Sequence, residues 1–232
     1  MTLEIYPLTD IPSVGATDDI AAILVPALEP LDPRAGDVLV VTHKIVSKAE
    51  GAVREIIGDE EEFKRLLVED ESVSVVRRRG DLIIAETKHG FVCANAGVDR
   101  SNAEPGTMIV LPDDPDRSAH RIRKRLQSVL GVDLPVIISD TFGRPWRRGL
   151  TDVAIGVSGL VAVLDLIGSL DWSGRELDVT EIAVADELAA AADLVMGKAD
   201  GIPAALIRGY SGPRGDGRGS DLVRPVDEDL FR

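Results

Sequence analysis

Three short polar stretches carry residue types that act on charged substrates. In Ser139-Asp140-Thr141-Phe142-Gly143-Arg144-Pro145-Trp146-Arg147-Arg148-Gly149 an aspartate follows the apolar run Pro135 to Ser139. The run reads as a buried strand, and the carboxyl end of such a strand is where open α/β sheets place metal ligands and ligand sites. Asp140 and Thr141 offer a carboxylate and a hydroxyl, the hard oxygen set that Mg²⁺ or Mn²⁺ takes in phosphate chemistry. Arg144, Arg147 and Arg148 bring three cations within five residues and can clamp an anionic substrate. A solvated basic turn with Trp146 packed as a lid is the alternative; the density of unusual residue types favours the clamp.

The second stretch is Asn95-Ala96-Gly97-Val98-Asp99-Arg100-Ser101-Asn102, whose small residues allow backbone to approach a ligand closely. Asp99 and Asn102, three apart, could face one site with a hard oxygen and an amide. Asn, Asp, Gly and Ser are also ordinary turn residues, and taken alone the stretch reads more readily as an Asx turn closing a strand. The third is Val41-Thr42-His43-Lys44-Ile45-Val46-Ser47-Lys48-Ala49-Glu50-Gly51. Lys48, just past a strand, could meet phosphate oxygens as a point charge, but a surface lysine is the default for such a position. The Gly-x4-Gly-Lys spacing of a Walker A loop is absent.

Other chemistries find little support. His43, His89 and His120 lack zinc-ligand spacing. Cys93 lies in an apolar strand and reads as a small buried hydrophobe. There is no Gly-x-Ser-x-Gly elbow, and the glycines of 212–219 lack the strand before and helix after that a dinucleotide loop needs. From the residues alone, the chain reads as a metal-assisted enzyme acting on phosphate-bearing substrates.

These stretches need a scaffold, and 232 residues suffice for one domain or two intimately packed lobes. The 44% hydrophobic and 28% charged content is that of a soluble globular protein. No apolar run approaches the roughly 20 residues that cross a bilayer. The start, Met1 to Ile5, lacks the basic and apolar regions of a signal peptide. A single cysteine excludes an internal disulfide and fits a reducing cytoplasm. The net charge of −14 argues against binding a nucleic acid backbone. Twenty of the 26 cations are Arg, a bias that a GC-rich genome explains as readily as anion binding does.

Strands are expected over Met1 to Pro7, Asp37 to Thr42, Val73 to Val76, Leu82 to Thr87, Phe91 to Ala94, Pro135 to Ser139 and Leu206 to Gly209. Helices are expected after Thr17-Asp18-Asp19, ending at Pro30 and Pro33, over 60–69, from about Ser118 to Leu130, and from a Thr180 cap to Met196. Ile155 to Leu166 is a further apolar stretch. Strands and helices alternate irregularly, without the βαβ cadence of a doubly wound sheet, so the expected class is α+β, a mixed α/β architecture.

At its polar stretches the sequence resembles the coenzyme F420:L-glutamate ligase family, also called F420-0:γ-glutamyl ligase. The resemblance rests on Ile11-Pro12, on 41–51, on 94–102, on Ser139 to Gly149, on Leu194-Val195-Met196-Gly197-Lys198-Ala199 and on Gly219-Ser220-Asp221-Leu222-Val223-Arg224-Pro225, in family order over nearly the whole chain. The Asp140 to Arg147 block is the most specific. The resemblance implies GTP-dependent ligation of L-glutamate to coenzyme F420-0, then further γ-linked glutamates, through an acyl phosphate. It implies Asp99, Asp140 and Thr141 as ligands of two Mg²⁺ or Mn²⁺ ions, K⁺ as an added cation, and a family-specific two-lobed fold in a cytoplasmic homodimer. GTP contacts would come from Ile11, Pro12, Ser13, Val14, His43, Lys48, Asn102 and the segment Met196, Gly197, Lys198, Ala199, Asp200, Gly201, Ile202 and Pro203. Lys48, Arg144, Arg147 and Arg148 would neutralise substrate charge.

The chain departs from the family at His43, where relatives often have Ser, and at Lys198, where some have a Gln or Glu that helps hold metal. An ammonium cannot ligate a cation, so a third ligand must come from elsewhere or be water. No fused C-terminal flavin-binding reductase domain is expected. A related ligase for another carboxylate acceptor, or a noncatalytic nucleotide-binding module, are the competing readings.

Overall fold

A computed structural model describes residues 2–229. The chain opens with strand β1 (Glu4–Pro7), helix α1 (Ile20–Leu28), β2 (Val38–Thr42), α2 (His43–Ala49), β3 (Val53–Glu55) and α3 (Glu60–Asp70). It continues through β4 (Ser72–Arg79), β5 (Leu82–Thr87), β6 (Val92–Ala94), β7 (Thr107–Ile109) and α4 (Pro115–Leu130). β8 (Val136–Gly143), β9 (Leu150–Ser158), β10 (Leu164–Asp165), β11 (Glu181–Ile182), α5 (Val184–Met196) and β12 (Ala204–Arg208) complete it. The class is α+β, as expected.

The central element is a five-stranded mixed sheet in the order β1-β12-β2-β8-β9, in which only β2 and β8 are parallel. The continuous apolar runs of β2 and β8 follow from burial on both faces. Leu39, Val41, Val136 and Ile138 point into one core with Leu24 of α1 and Leu126 of α4. Val38, Val40 and Ile137 point into a second core against Leu188, Ala189 and Ala192 of α5. A third core gathers Val68 of α3, Ala85 of β5, Val98 and Met108, under the β4-β5-β6 meander and the β3-β7 pair. No helix among the described residues is long and apolar enough to cross a membrane.

The structure moves several expected boundaries. Met1 lies outside the described residues. Pro26 sits inside α1, and the turn at Glu29–Leu31 closes that helix. α4 starts at Pro115, capped by the Asp114 carboxylate, which accepts from the Arg117 amide; proline at a first helical position loses no internal bond. α5 starts at Val184 without a side-chain cap, so Thr180 caps nothing; Glu181 and Ile182 pair with β10. β8 does not end at Ser139 but runs on through Asp140 to Gly143, because Leu150–Val153 of β9 supply a partner for each added residue.

The β8–β9 ladder slips by one residue between Ile138↔Gly156 and Ser139↔Ala154, leaving Ile155 as the extra residue of a bulge. Ile155 joins the α4 core, while Ala154 and Val157 join the α5 core, so Ile155 and Gly156 both turn toward α4. There is room for one side chain only: a Cβ at Gly156 would stand 2.5 Å from the Pro115 carbonyl oxygen. Gly156→Ala is expected to lower unfolding free energy by about 1–3 kcal/mol through forced displacement of α4, read as a shifted urea midpoint. An unshifted midpoint would mean that α4 does not press on the bulge.

Candidate functional site

The paired stretch of β2 and β8 ends at Thr42 and Ser139. β2 stops there because His43 opens α2, whereas β8 continues on β9 alone. Asp140 and Thr141 are therefore the first residues past the parallel pair, in the crevice outside the strands' carboxyl ends. Pro203, whose carbonyl accepts from the Thr42 amide, brings the 197–203 loop to the same end.

Neighbouring strand residues face opposite sides, so the two serve different surroundings. Asp140 turns toward α2. Its Oδ1 accepts from the Thr141 amide at 2.7 Å and lies 3.2 Å from Nε2 of His43, which is not aligned for a hydrogen bond. His43 is fully buried, with Nδ1 3.3 Å from Ser47 Oγ. Thr141 turns toward α5. Its hydroxyl donates to Asp152 Oδ1 at 2.6 Å, while Ser139 Oγ donates to Asp152 Oδ2 at 2.9 Å. Lys198 Nζ donates to Thr141 Oγ1, Asp152 Oδ1 and Asp193 Oδ1 at 2.7, 2.8 and 2.7 Å. Partial burial alone would lower the Lys198 pKa, but the bonds to Asp152 and Asp193 raise it.

Asp99 is held by Lys44 Nζ at 2.7 Å and by the Ser101 amide and hydroxyl at 2.7 and 2.6 Å. Burial pushes its carboxyl up, but donation from Lys44 and Ser101 outweighs this and leaves it below the ordinary range. Lys44 also meets Ser101 Oγ and, at 3.4 Å, Asn102 Oδ1. Burial and the charge of Asp140 push the Cys93 thiol up to about 12, which suits a core residue and not a nucleophile.

A cavity of about 280 Å³ opens here. Of the residues expected from the sequence, Ile11, Pro12, Ser13, Val14, Lys48, Asn102, Asp140, Thr141, Met196, Gly197, Lys198, Gly201, Ile202 and Pro203 line it. The Lys48 ammonium meets no acceptor among the described residues. Ala199 and Asp200 belong to the same loop without lining the cavity, and His43 lies beneath it. Asp99 stands behind Lys44, which does line it. Arg144, Arg147 and Arg148 are exposed in the β8–β9 turn, where Arg144 donates to the Arg148 carbonyl, and do not line the cavity.

The sequence reading missed Lys44, Asp152 and Asp193. Asp152 was findable once the Gly143 to Gly149 turn was read as a hairpin, which sets it opposite Thr141. A larger cavity of about 490 Å³ lies between α1, α2 and α4, where Arg121 pairs with Glu50 and Arg125 with Asp19. Among the described residues, no three His, Cys, Asp or Glu side chains are arranged to hold a metal ion.

The α+β fold therefore carries a polar crevice past its parallel strand pair, flanked by lysines and carboxylates. The chain belongs to the F420-0:Gamma-glutamyl ligase family, whose model matches residues 9–209, and is accordingly a ligase. It is 46% identical to the coenzyme F420:L-glutamate ligase of Methanothermobacter thermautotrophicus, over 100% of both chains. The enzymes of the same name from Methanocaldococcus jannaschii and Methanopyrus kandleri are 47% and 45% identical, over 85% and 100% of this chain and 85% and 98% of theirs.

Asp152 is 3% exposed and accepts from two hydroxyls and an ammonium. Asp152→Ala is expected to lower unfolding free energy by about 1.5–3 kcal/mol, the worth of hydrogen bonds to a charged group. Equal urea midpoints for variant and parent would show that the carboxylate holds nothing together.

Proposed function

We propose that the chain joins L-glutamate to coenzyme F420-0 with hydrolysis of GTP, and then adds further γ-linked glutamates. The family and the activity for which its relatives are named support this reading. The observation that carries it is the convergence on one cavity of Lys48, Asn102, Asp140 and the 11–14 and 196–203 segments.

In the first step a carboxylate oxygen of F420-0 bonds to the γ-phosphorus of GTP. The bond from that phosphorus to the β–γ bridging oxygen breaks and GDP leaves. The glutamate amine then bonds to the acyl carbon, phosphate leaves with the bonding pair, and the amine gives up a proton. The obstacle in the first step is repulsion between two anions, which positioned charge relieves. Lys48, uncommitted and facing the cavity, supplies one such charge. Mg²⁺ or Mn²⁺, when bound, supplies Lewis-acid neutralisation of phosphate charge.

The residues fit such an ion. Mg²⁺ is usually held by one or two carboxylates together with waters and phosphates, and not by an all-protein cage. Asp140 lines the cavity and its Oδ2 meets no donor among the described residues; Asp99 would join it on release by Lys44. K⁺ and a homodimer belong to the same reading. For the dimer, the support is an exposed apolar group on one loop, Ile167, Leu170, Trp172 and Val179, of a kind that marks contact surfaces.

With Mn²⁺, K⁺, GTP, glutamate and F420-0, the purified chain is expected to release GDP in step with a glutamyl mass increment on F420-0. Absence of that product under these conditions would sink the assignment, and formation of it only on another carboxylate would reassign the acceptor. Asp140→Ala is expected to lower turnover by about 10²-fold or more with an unchanged circular dichroism spectrum. Retained activity would remove Asp140 from the site.

A further inference from the structure

Among the described residues, Lys44 and Lys198 at the cavity are committed to carboxylates, whereas Lys48 meets no acceptor. An ammonium has three N–H donors. Those of Lys198 are all in use, on Thr141 Oγ1, Asp152 Oδ1 and Asp193 Oδ1, at 2.7 to 2.8 Å. It has no donor left to reach for a phosphate, as Lys48 does. Three oxygens, two of them from carboxylates, surround a single positive charge as they would surround a bound cation.

The backbone builds this placement. α5 ends at Gly197, whose φ of 61° and ψ of −169° belong to a region essentially reserved for glycine. That conformation turns Lys198 back onto Asp193 in the last turn of α5 and onto the β8–β9 pair. The receiving carboxylate, Asp152, is 3% exposed and cannot be left without a positive partner. Thr141 ties this group to Asp140, its neighbour in β8 and the carboxylate assigned to the divalent ion.

We propose that Lys198 is the built-in second cation of this site, its ammonium seated in the oxygens of Thr141, Asp152 and Asp193, and that the chain binds one divalent ion per active site in place of two. The inference rests on the metal and nucleotide reading of the cavity. Thr141 then acts as a positioning residue that links two charge sites, and the single divalent ion belongs to Asp140. Loss of the ammonium leaves two carboxylates and a hydroxyl facing one another, which a divalent ion can bridge.

The full chain is titrated with Mn²⁺ in the presence of the β,γ-imido analogue of GTP, and free Mn²⁺ is read from its electron paramagnetic resonance signal. The parent is expected to bind one Mn²⁺ per chain, and Lys198→Gln to bind two. Two ions on the parent, or one on a folded Lys198→Gln, would overturn the inference. None on the parent would overturn the metal reading of Asp140 itself, and is thereby distinguishable from failure of the Lys198 assignment. Should the variant not fold, the parent's count decides.

Discussion

A carboxylate shut away from water has to be answered by donors, and the site end of this protein is arranged around that requirement at Asp152. The answer comes from two elements at once. Ser139 and Thr141 reach it across the β8–β9 ladder, and Lys198 reaches it from the loop that leaves α5. Because all of them meet one group, the strand pair, the end of α5 and the start of the 197–203 loop are held in a fixed relation. The cavity inherits its shape from this arrangement.

The second constraint is where β2 ends. Up to Val41 and Ile138, β2 and β8 run side by side, apolar on two faces and packed between helical layers. Once β2 turns into α2, β8 keeps its hydrogen bonds to β9 but is freed from its neighbour on the other side. Polar residues can then point both ways. Asp140 and Thr141 use the freedom in opposite directions, one toward the buried His43 and one toward Asp152, which is why adjacent residues belong to different charge groups.

Much of this was legible in the sequence. The apolar runs of β2 and β8, the acidic α3, the β4-β5-β6 meander and the basic α4 follow from periodicity and turn residues, and the polar stretches lie at the crevice where strand-end reasoning put Asp140. What escaped depended on partners distant in the chain. Asp140 looks like a strand end because the run of β-branched residues stops, whereas the strand persists through pairing to Leu150–Val153. Thr180 has the residue type of a cap, but a short pairing of Glu181 and Ile182 with β10 claims that segment first. Arg144, Arg147 and Arg148 have the composition of a clamp and stand in an exposed turn, because composition says nothing about which way a hairpin tip projects. Asp152 and Lys198 are 46 residues apart, and only the fold makes them neighbours.

The bulge at Ile155 has a bearing on how such a chain can evolve. A strand has parity: every residue belongs to one face or the other, and one added or lost residue exchanges the faces for everything beyond it. With Ile155 in place, Asp152 shares the face of Thr141 and Ser139. Because Ile155 and Gly156 lie on one face, however, loss of Ile155 would close the ladder without its slip and leave Asp152 opposite Thr141, within reach of both hydroxyls and of Lys198. The length of β9 can therefore change by one at the bulge without exchanging its faces, and what such a change would remove is the apolar contact of Ile155 in the α4 core. The bulge thus uncouples the charge pattern of the crevice from the packing against α4, so that either can change without the other.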